Sequence, residues 1–394
     1  MIEQIQKSQE FLRNNFYKYY KSADIQLPDR FSRREFAFTF FGSKGMVRHL
    51  SFEKRKDVMN FIKERIPQHA YYSSAYYQIP GAPVMQDKNW MGAELIFDLD
   101  SDHLPNTEKL DYGKQLGIVK YEFEKLVYEF LMGDFGFDEK YLELYFSGGR
   151  GYHCHVKDPV IFDLDSNARR EIVDYITAKN LQDSYIFREH ITGKKQYGRQ
   201  NYPGGKSLKM PTPDQIGWKG RISREIIEIV DEIKKSDNPE SSLREYGVKE
   251  KDAKILAKEL SGDRVQRIKD GFLDQTKTIR KFFLNRALRK AAVTLSAGET
   301  DEPVTCDIKR LIRLPYSLHG KTGFIVKKIN LNDLKEFNPL NDAVVFKDDP
   351  VKIKIDKPYN IKMKDENFSI KEGEQDVPEF LGVFLVGKNI AQLA

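Results

Sequence analysis

Cysteine is scarce: Cys154 and Cys306 are the two in 394 residues. They are too few and too far apart in sequence for a disulfide framework or a four-cysteine zinc site. A reducing compartment follows from that scarcity. Long apolar runs are also missing, because no stretch reaches the roughly 18 uninterrupted apolar residues of a membrane span. The N-terminal MIEQIQKSQEFLRNN lacks the apolar core of a secretory signal, so the expectation is a cytoplasmic protein with no membrane partner. Neither an internal repeat nor a low-complexity tail is found. With 40% hydrophobic and 31% charged residues the composition is that of a globular chain, which excludes disorder, collagen and coiled coil. Strong charge of one sign is absent too: 65 basic minus 59 acidic residues leaves +6, which permits polyanion binding without demanding it.

What is present reads as alternating helix and strand over the first 160 residues. Ile5, Phe11, Leu12, Phe16, Tyr19 and Tyr20 recur largely by threes and fours, as on an amphipathic helix. REFAFTFFGSKGMVRHLSF, residues 34–52, alternates on both sides of a Gly-Ser-Lys-Gly break and predicts a β-hairpin. A charged helix over about 52–64, a strand in MGAELIFDLDSD, a helix over about 112–132 and a strand–turn–strand in YLELYFSGGRGYHCHV follow. From Ser166 to about Ala292 charged helical patterns dominate, which predicts a helical insertion. The polar, Gly- and Pro-rich HITGKKQYGRQNYPGGKSLKMPTPDQIGWKGR reads as a long surface loop. Strands are expected again after Val304, in GFIVKKINL, DAVVF, VKIKI, YNIKMK and EFLGVFLV.

Three segments carry chemistry. In GAELIFDLDSD the two-residue period of a strand puts Asp98 and Asp100 on one face, with Leu95, Phe97 and Leu99 on the other. Two like charges so placed suit a hard divalent cation between them; a solvated acidic turn is the alternative. In Ser147-Gly148-Gly149-Arg150-Gly151-Tyr152-His153-Cys154-His155 the glycines let backbone N–H groups approach an anion, while Ser147 and Arg150 add a hydroxyl and a phosphate-matching fork. Alternation puts His153 and His155 on one face; a tight hairpin with surface histidines is the alternative. In DEPVTCDIKRLIRLPYSLHGKTGF, Asp301 precedes Arg310, Arg313, His319 and Lys321. Its Gly-Lys-Thr is not a Walker A motif, since Pro315 stands where that motif needs glycine. Acid plus phosphate-seeking cations suits a nucleotide site, or a solvated turn. Basic residues of the insertion, Arg264, Arg267, Lys269, Arg280, Lys281, Arg286, Arg289 and Lys290, either track a phosphodiester backbone or belong to a solvated face laced with acids.

The order of these segments, acidic pair, SGGRGYHCH, then Asp301 ahead of RLIRLPYSLHGKTG, resembles the catalytic small subunit of archaeal and eukaryotic DNA primases, the archaeal branch most. REFAFTF with HAYYSSAYY early and VPEFLGVFLVG late extend the likeness over nearly the whole chain. The resemblance implies an α+β primase catalytic core, an α/β unit plus a ferredoxin- or RRM-like sheet, over residues 1–170 and 295–394. A helical insertion over 171–294 separates its parts, and the active site is expected where the two β units meet. It implies that Asp98, Asp100 and Asp301 hold two Mg²⁺ or Mn²⁺ ions, and that Ser147, Arg150, His153, Arg313, His319 and Lys321 bind nucleotide phosphates. Arg48 matches an arginine that approaches the incoming nucleotide. The implied activity is synthesis of short RNA primers, with DNA primers left open, from nucleoside triphosphates on a single-stranded DNA template during replication. In the implied two-metal mechanism one ion activates the attacking 3′-hydroxyl and the other stabilises pyrophosphate.

The implied partner is an iron–sulfur large subunit. One departure from the family is that two separated cysteines cannot make the zinc knuckle many relatives carry near the core, so a structural zinc is not expected. Other readings remain: a single-chain primase-polymerase of the same superfamily, a nucleic-acid-binding subunit without catalysis, and a glycosyltransferase using DxD, the last opposed by the other two motifs.

Overall fold

Two units make up this computed structural model, Met1–Val173 with Thr294–Ala394, and Asp174–Val293. It describes residues 2–101, 110–260, 263–273, 277–292 and 304–394. Asp301, and Asp102 with His103 in the stretch where relatives often carry zinc, therefore lie outside the described residues.

The first unit opens with helix α1 (Ile2–Ser22), which buries Leu12, Phe16 and Tyr20 as its spacing predicts. The expected hairpin is β1 (Phe36–Phe40) and β2 (Met46–Leu50); then come α2 (Arg55–Arg65), β3 (Pro67–Ser73), β4 (Ala75–Tyr77), β5 (Trp90–Ala93) and β6 (Leu95–Asp100). Helix α3 (Tyr112–Lys125) is capped by the Asp111 carboxylate, which accepts from the Lys114 N–H at 2.9 Å, and widens to π geometry over Leu126–Asp134. Strands β7 (Leu142–Phe146) and β8 (Gly151–Val156) and helix α4 (Ser166–Ile176) complete this stretch.

The second unit contains α5 (Asp183–Ile186), β9 (Arg188–Tyr197), β10 (Gln200–Lys209), α6 (Gly217–Lys235), α7 (Pro239–Glu245), α8 (Glu250–Glu259), α9 (Asp263–Lys269), β11 (Phe272–Leu273) and α10 (Lys277–Ala291). It is not wholly helical. The segment that reads as a long loop forms the antiparallel pair β9–β10, turned at Gly198, whose φ is +63°. Pro203, which cannot donate to a ladder, lies where β10 has no second neighbour among the described residues, because β11 pairs only with Leu208 and Lys209.

Back in the first unit are β12 (Leu311–Arg313), β13 (Lys327–Ile329), α11 (Pro339–Asp342), β14 (Pro350–Ile355), β15 (Tyr359–Met363), β16 (Glu366–Ile370), β17 (Gly373–Pro378), α12 (Glu379–Gly387) and β18 (Ala391–Leu393). Two strand expectations fail here. EFLGVFLV is helix α12, with every residue from Glu379 to Val386 buried; a short apolar run buried all round carries no period that separates helix from strand. DAVVF starts on the last residue of α11 and continues as irregular chain rather than pairing in a sheet.

Two four-stranded sheets position the site, one in the order β12-β3-β1-β2 and one in the order β13-β7-β8-β6. In the second, β6–α3–β7–β8 with β8 between the strands that α3 joins is a split βαβ unit, as in ferredoxin-like folds. The odd-numbered residues Phe97 and Leu99 of β6 are buried, and Tyr152 of β8 stacks on Phe123 of α3 at 5.2 Å.

The opposite face is polar even where it is buried. Arg34, just before β1, and Glu94, just before β6, are both fully buried and form an ion pair. The Arg34 guanidinium also donates to Ser73 O at 2.8 Å and to the Tyr76 hydroxyl at 2.7 Å. Glu94 further meets His155 Nδ1 at 3.3 Å, and that nitrogen lies 3.2 Å from the Tyr72 hydroxyl of β3. Burial alone would raise the Glu94 pKa, yet Arg34, His155 and Lys157 outweigh it and hold the carboxyl well below its usual range. A buried charge without its partner is the expensive state. Glu94→Leu should therefore cost about 3–5 kcal/mol, and the double variant Arg34→Met/Glu94→Leu should be more stable than Glu94→Leu alone. Urea denaturation of the variants checks this order.

Candidate active site

Register between β6 and β8 builds the acidic wall of the site. Asp98 pairs with His153 and Asp100 with Gly151, so the DxD face and the histidine face meet across one ladder. His153 Nε2 stands 3.2 Å from Asp98 Oδ1, and Arg150 Nε stands 3.9 Å from Asp100 Oδ1. The Asp98 and Asp100 side chains remain 22% and 32% accessible. Burial opposes ionisation of Asp98, but His153, Arg310 and Arg313 prevail and keep its pKa below the ordinary value. Gly151 is obligatory here: a Cβ on it would lie 2.1 Å from Leu99 O.

The glycine loop differs in one respect from its expected role. The N–H groups of Gly149 and Gly151 donate to Ser147 Oγ at 3.2 and 3.3 Å, and Ser147 N–H donates to Gly151 O at 2.9 Å. These two amides close a tight turn rather than present themselves to an anion. What the loop leaves open is room for a neighbour, since a Cβ on Gly149 would come within 3.1 Å of His319 Nε2. The His319 segment is itself tied back: Thr322 Oγ1 donates to Gly148 O at 2.5 Å, and His319 N–H donates to Phe324 O at 2.8 Å. The Gly-Lys-Thr that resembles the end of a P-loop thus serves as a clasp between two loops.

Strand β3 and the segment beginning at β12 supply the facing wall. Arg313 Nη1 lies 2.7 Å from His69 Nδ1, and its guanidinium lies 5.1 Å from the centre of the Tyr71 ring. Because Arg313 donates to His69 Nδ1, as does Gly320 N–H at 3.2 Å, that nitrogen is an acceptor and the proton sits on Nε2. By the same logic Lys321 N–H donates to His319 Nδ1 at 3.3 Å, which places the His319 proton on Nε2 toward the glycine loop. Both rings are neutral. Burial first, then Arg313 and Lys321, lower the His69 pKa to about 3; burial, Arg313 and His69 keep His319 well below its usual value.

A single cleft of about 530 Å³ gathers these groups. Of the residues expected from the sequence, Asp98, Asp100, Ser147, Arg150, His153, Arg313, His319 and Lys321 line it. Arg48 does not. Its Nε donates to Glu35 Oε1 at 3.1 Å, because a β-bulge between β1 and β2, with His49 at φ +61°, turns that stretch toward the buried Glu35 carboxylate. His69, Tyr71, Lys388 and Asn389 also line the cleft and were not singled out by spacing. Alternation in HAYYS puts His69 and Tyr71 on one face, a usable signal; Lys388 follows α12, and nothing local marks it. Hard oxygen donors of the kind that Mg²⁺ and Mn²⁺ take are present on one strand face, although the described residues hold no group of three potential ligands. Cys154 and Cys306 are both buried thiols.

Comparison with known proteins gives a consistent answer. Residues 97–331 match the family profile described as DNA primase small subunit. The chain is 39% identical over 398 residues to the DNA primase small subunit PriS of Methanothrix thermoacetophila, covering 98% of this chain and 99% of that one. It is 40% identical to the PriS of Methanosarcina acetivorans, covering 98% and 97%, and 38% identical to that of Picrophilus torridus, covering 96% of each.

The neutral state of His69 has a measurable consequence. An unfolded histidine takes up a proton near 6.5, whereas folded His69 resists until about 3, so its contribution to stability is complete above about 6.5 and is lost as pH falls toward 3. Urea midpoints should therefore decline between pH 7 and 5, before carboxylates titrate, and His69→Gln should flatten that decline. An identical slope in the variant would contradict a neutral His69.

Proposed function

The chain belongs to the DNA primase small subunit family, and from that membership we propose that it is the catalytic subunit of a DNA primase. It makes short primers from nucleoside triphosphates on a single-stranded DNA template, by nucleotidyl transfer. The observation that carries the reading is that one cleft gathers both the carboxylates Asp98 and Asp100 and the phosphate-seeking cations Arg150, Arg313, Lys321 and Lys388. A polymerising site needs both, one to hold divalent cations and one to hold a triphosphate.

The chain's own groups divide the work as follows. Arg150 and Arg313 present planar forks that match phosphate oxygens, and Lys321 adds a point charge. His319 enters as a neutral donor through Nε2, because burial, Arg313, His69 and Lys321 disfavour a second ring proton. Ser147, whose oxygen already accepts two amide N–H groups, retains its own hydroxyl proton for donation. These donors fix the triphosphate and stabilise the charge that develops on the departing pyrophosphate. As the 3′-hydroxyl oxygen, losing its proton to solvent, bonds to the α-phosphorus, the bond from that phosphorus to the oxygen bridging to the β-phosphorus breaks and pyrophosphate leaves. No side chain is assigned as general base. Asp98 and Asp100, with Asp301 as third ligand, would hold Mg²⁺ or Mn²⁺, which supplies Lewis-acid activation and charge neutralisation when bound. The name small subunit, borne by the relatives, supports a large-subunit partner for this chain.

Asp98→Ala should lower incorporation of labelled NTPs and dNTPs on single-stranded template by at least ~100-fold, since even outer-shell changes at metal sites cost about 10–100-fold. Fold and template binding should persist. Metal-dependent synthesis retained by Asp98→Ala would overturn the assignment. Lys388→Gln should raise the nucleotide KM with little change in kcat, measured in the same assay.

A further inference from the structure

The unit Asp174–Val293 has basic residues of two kinds. Lys269 pairs with Asp231 at 2.7 Å, and Lys290 meets Glu225, Glu228 and Glu232 at 3.5, 3.0 and 3.4 Å; these are the acid-laced face. Lys249, Lys281, Arg286 and Arg289 are different. They line one cleft of about 530 Å³ between the start of α8 and one side of α10, and none of the four has an ion-pair partner among the described residues. Asp252 is the one acid on its wall, and Phe282 contributes an apolar floor. Within α10, Lys281 and Arg289 stand eight residues apart, two turns along one face and about 12 Å. Arg286 between them is partly buried, with its guanidinium 5.8 Å from the centre of the Tyr246 ring. Burial, and then Arg289, lower the Arg286 pKa.

We propose that this cleft is a second nucleic-acid site, which grips the phosphodiester backbone of single-stranded DNA independently of the catalytic cleft. That the polyanion is nucleic acid rests on the primase reading. The charges are strung along one helix over about 12 Å, a span that meets more than one phosphate of an extended single strand. The aromatic rings beside them add the apolar surface that tolerates any sequence. A backbone grip of this kind carries no base preference.

The test uses the full chain, a labelled single-stranded oligonucleotide and no nucleotide, with binding followed by anisotropy over a range of salt. Both Lys281 and Arg289 are exposed, so Lys281→Gln/Arg289→Gln should fold normally. Its affinity should fall severalfold, and its slope of log K against log salt should shrink by about 1.4, at about 0.7 for each phosphate of a single strand that is no longer neutralised. The control is Lys269→Gln/Lys290→Gln, which removes the same charge from the acid-paired lysines and should leave the slope unchanged. Equal effects from both double variants, or no effect from either, would overturn the proposal. ATP titration in parallel separates the sources of phosphate: loss of ATP binding in Lys281→Gln/Arg289→Gln with DNA binding intact would make this a free-nucleotide site and also overturn it. Because nothing in the assay requires synthesis, an active Asp98→Ala enzyme would refute the catalytic assignment without touching this result.

Discussion

The close approach of β8 to β6 at Gly151 is the constraint on which the rest of the site depends. With no side chain at that position the ladder continues to its end, opposite Asp100. One step along, His153 comes to lie beside Asp98. The turn that follows from the same geometry is closed by Ser147 rather than by a ligand, and its glycines leave the space that His319 occupies. Metal-seeking carboxylates and phosphate-seeking donors thus share a cleft because two strands pair without an intervening side chain, not because either motif organises the other.

Behind that cleft the two sheets face each other through charge rather than hydrocarbon. Arg34, Glu94, His155, Tyr72 and Lys157 continue the face that carries Asp98 and His153 into the interior. A network of this kind is costly when incomplete and unforgiving of misplacement. It suits the floor of the site proposed above to hold a triphosphate, whose charged groups would have to keep their places. The apolar work is done on the other side of the same strands, where Phe97, Leu99 and Tyr152 are buried.

Much of this was legible in sequence. The hairpin after Arg34, the strand–turn–strand around SGGRG and the common face of Asp98 and Asp100 all follow from a two-residue period. Where period fails, so does the reading. Beyond Glu379, EFLGVFLV is apolar throughout and yields a helix because its surroundings bury every side. The β9–β10 pair hides behind Gly and Pro that in isolation mark loops, and the strand accepts Pro203 where β10 has no second neighbour among the described residues. Arg48, expected beside the incoming nucleotide, does not line the cleft, and beside a bulge it donates to Glu35.

By itself the sequence determined the chemistry available: two carboxylates on one strand face, a glycine turn bearing Ser147 and Arg150, and a downstream set of cations, because local periodicity and residue type are enough to state these. Tertiary structure alone decided which of them meet. His69 and Lys388 reach the cleft from segments more than 300 residues apart, and His69 is held neutral by burial and by Arg313 and Lys321, cations brought in from a distant segment. Those outcomes depend on distances through space, between charges far apart in the chain, which no local pattern encodes.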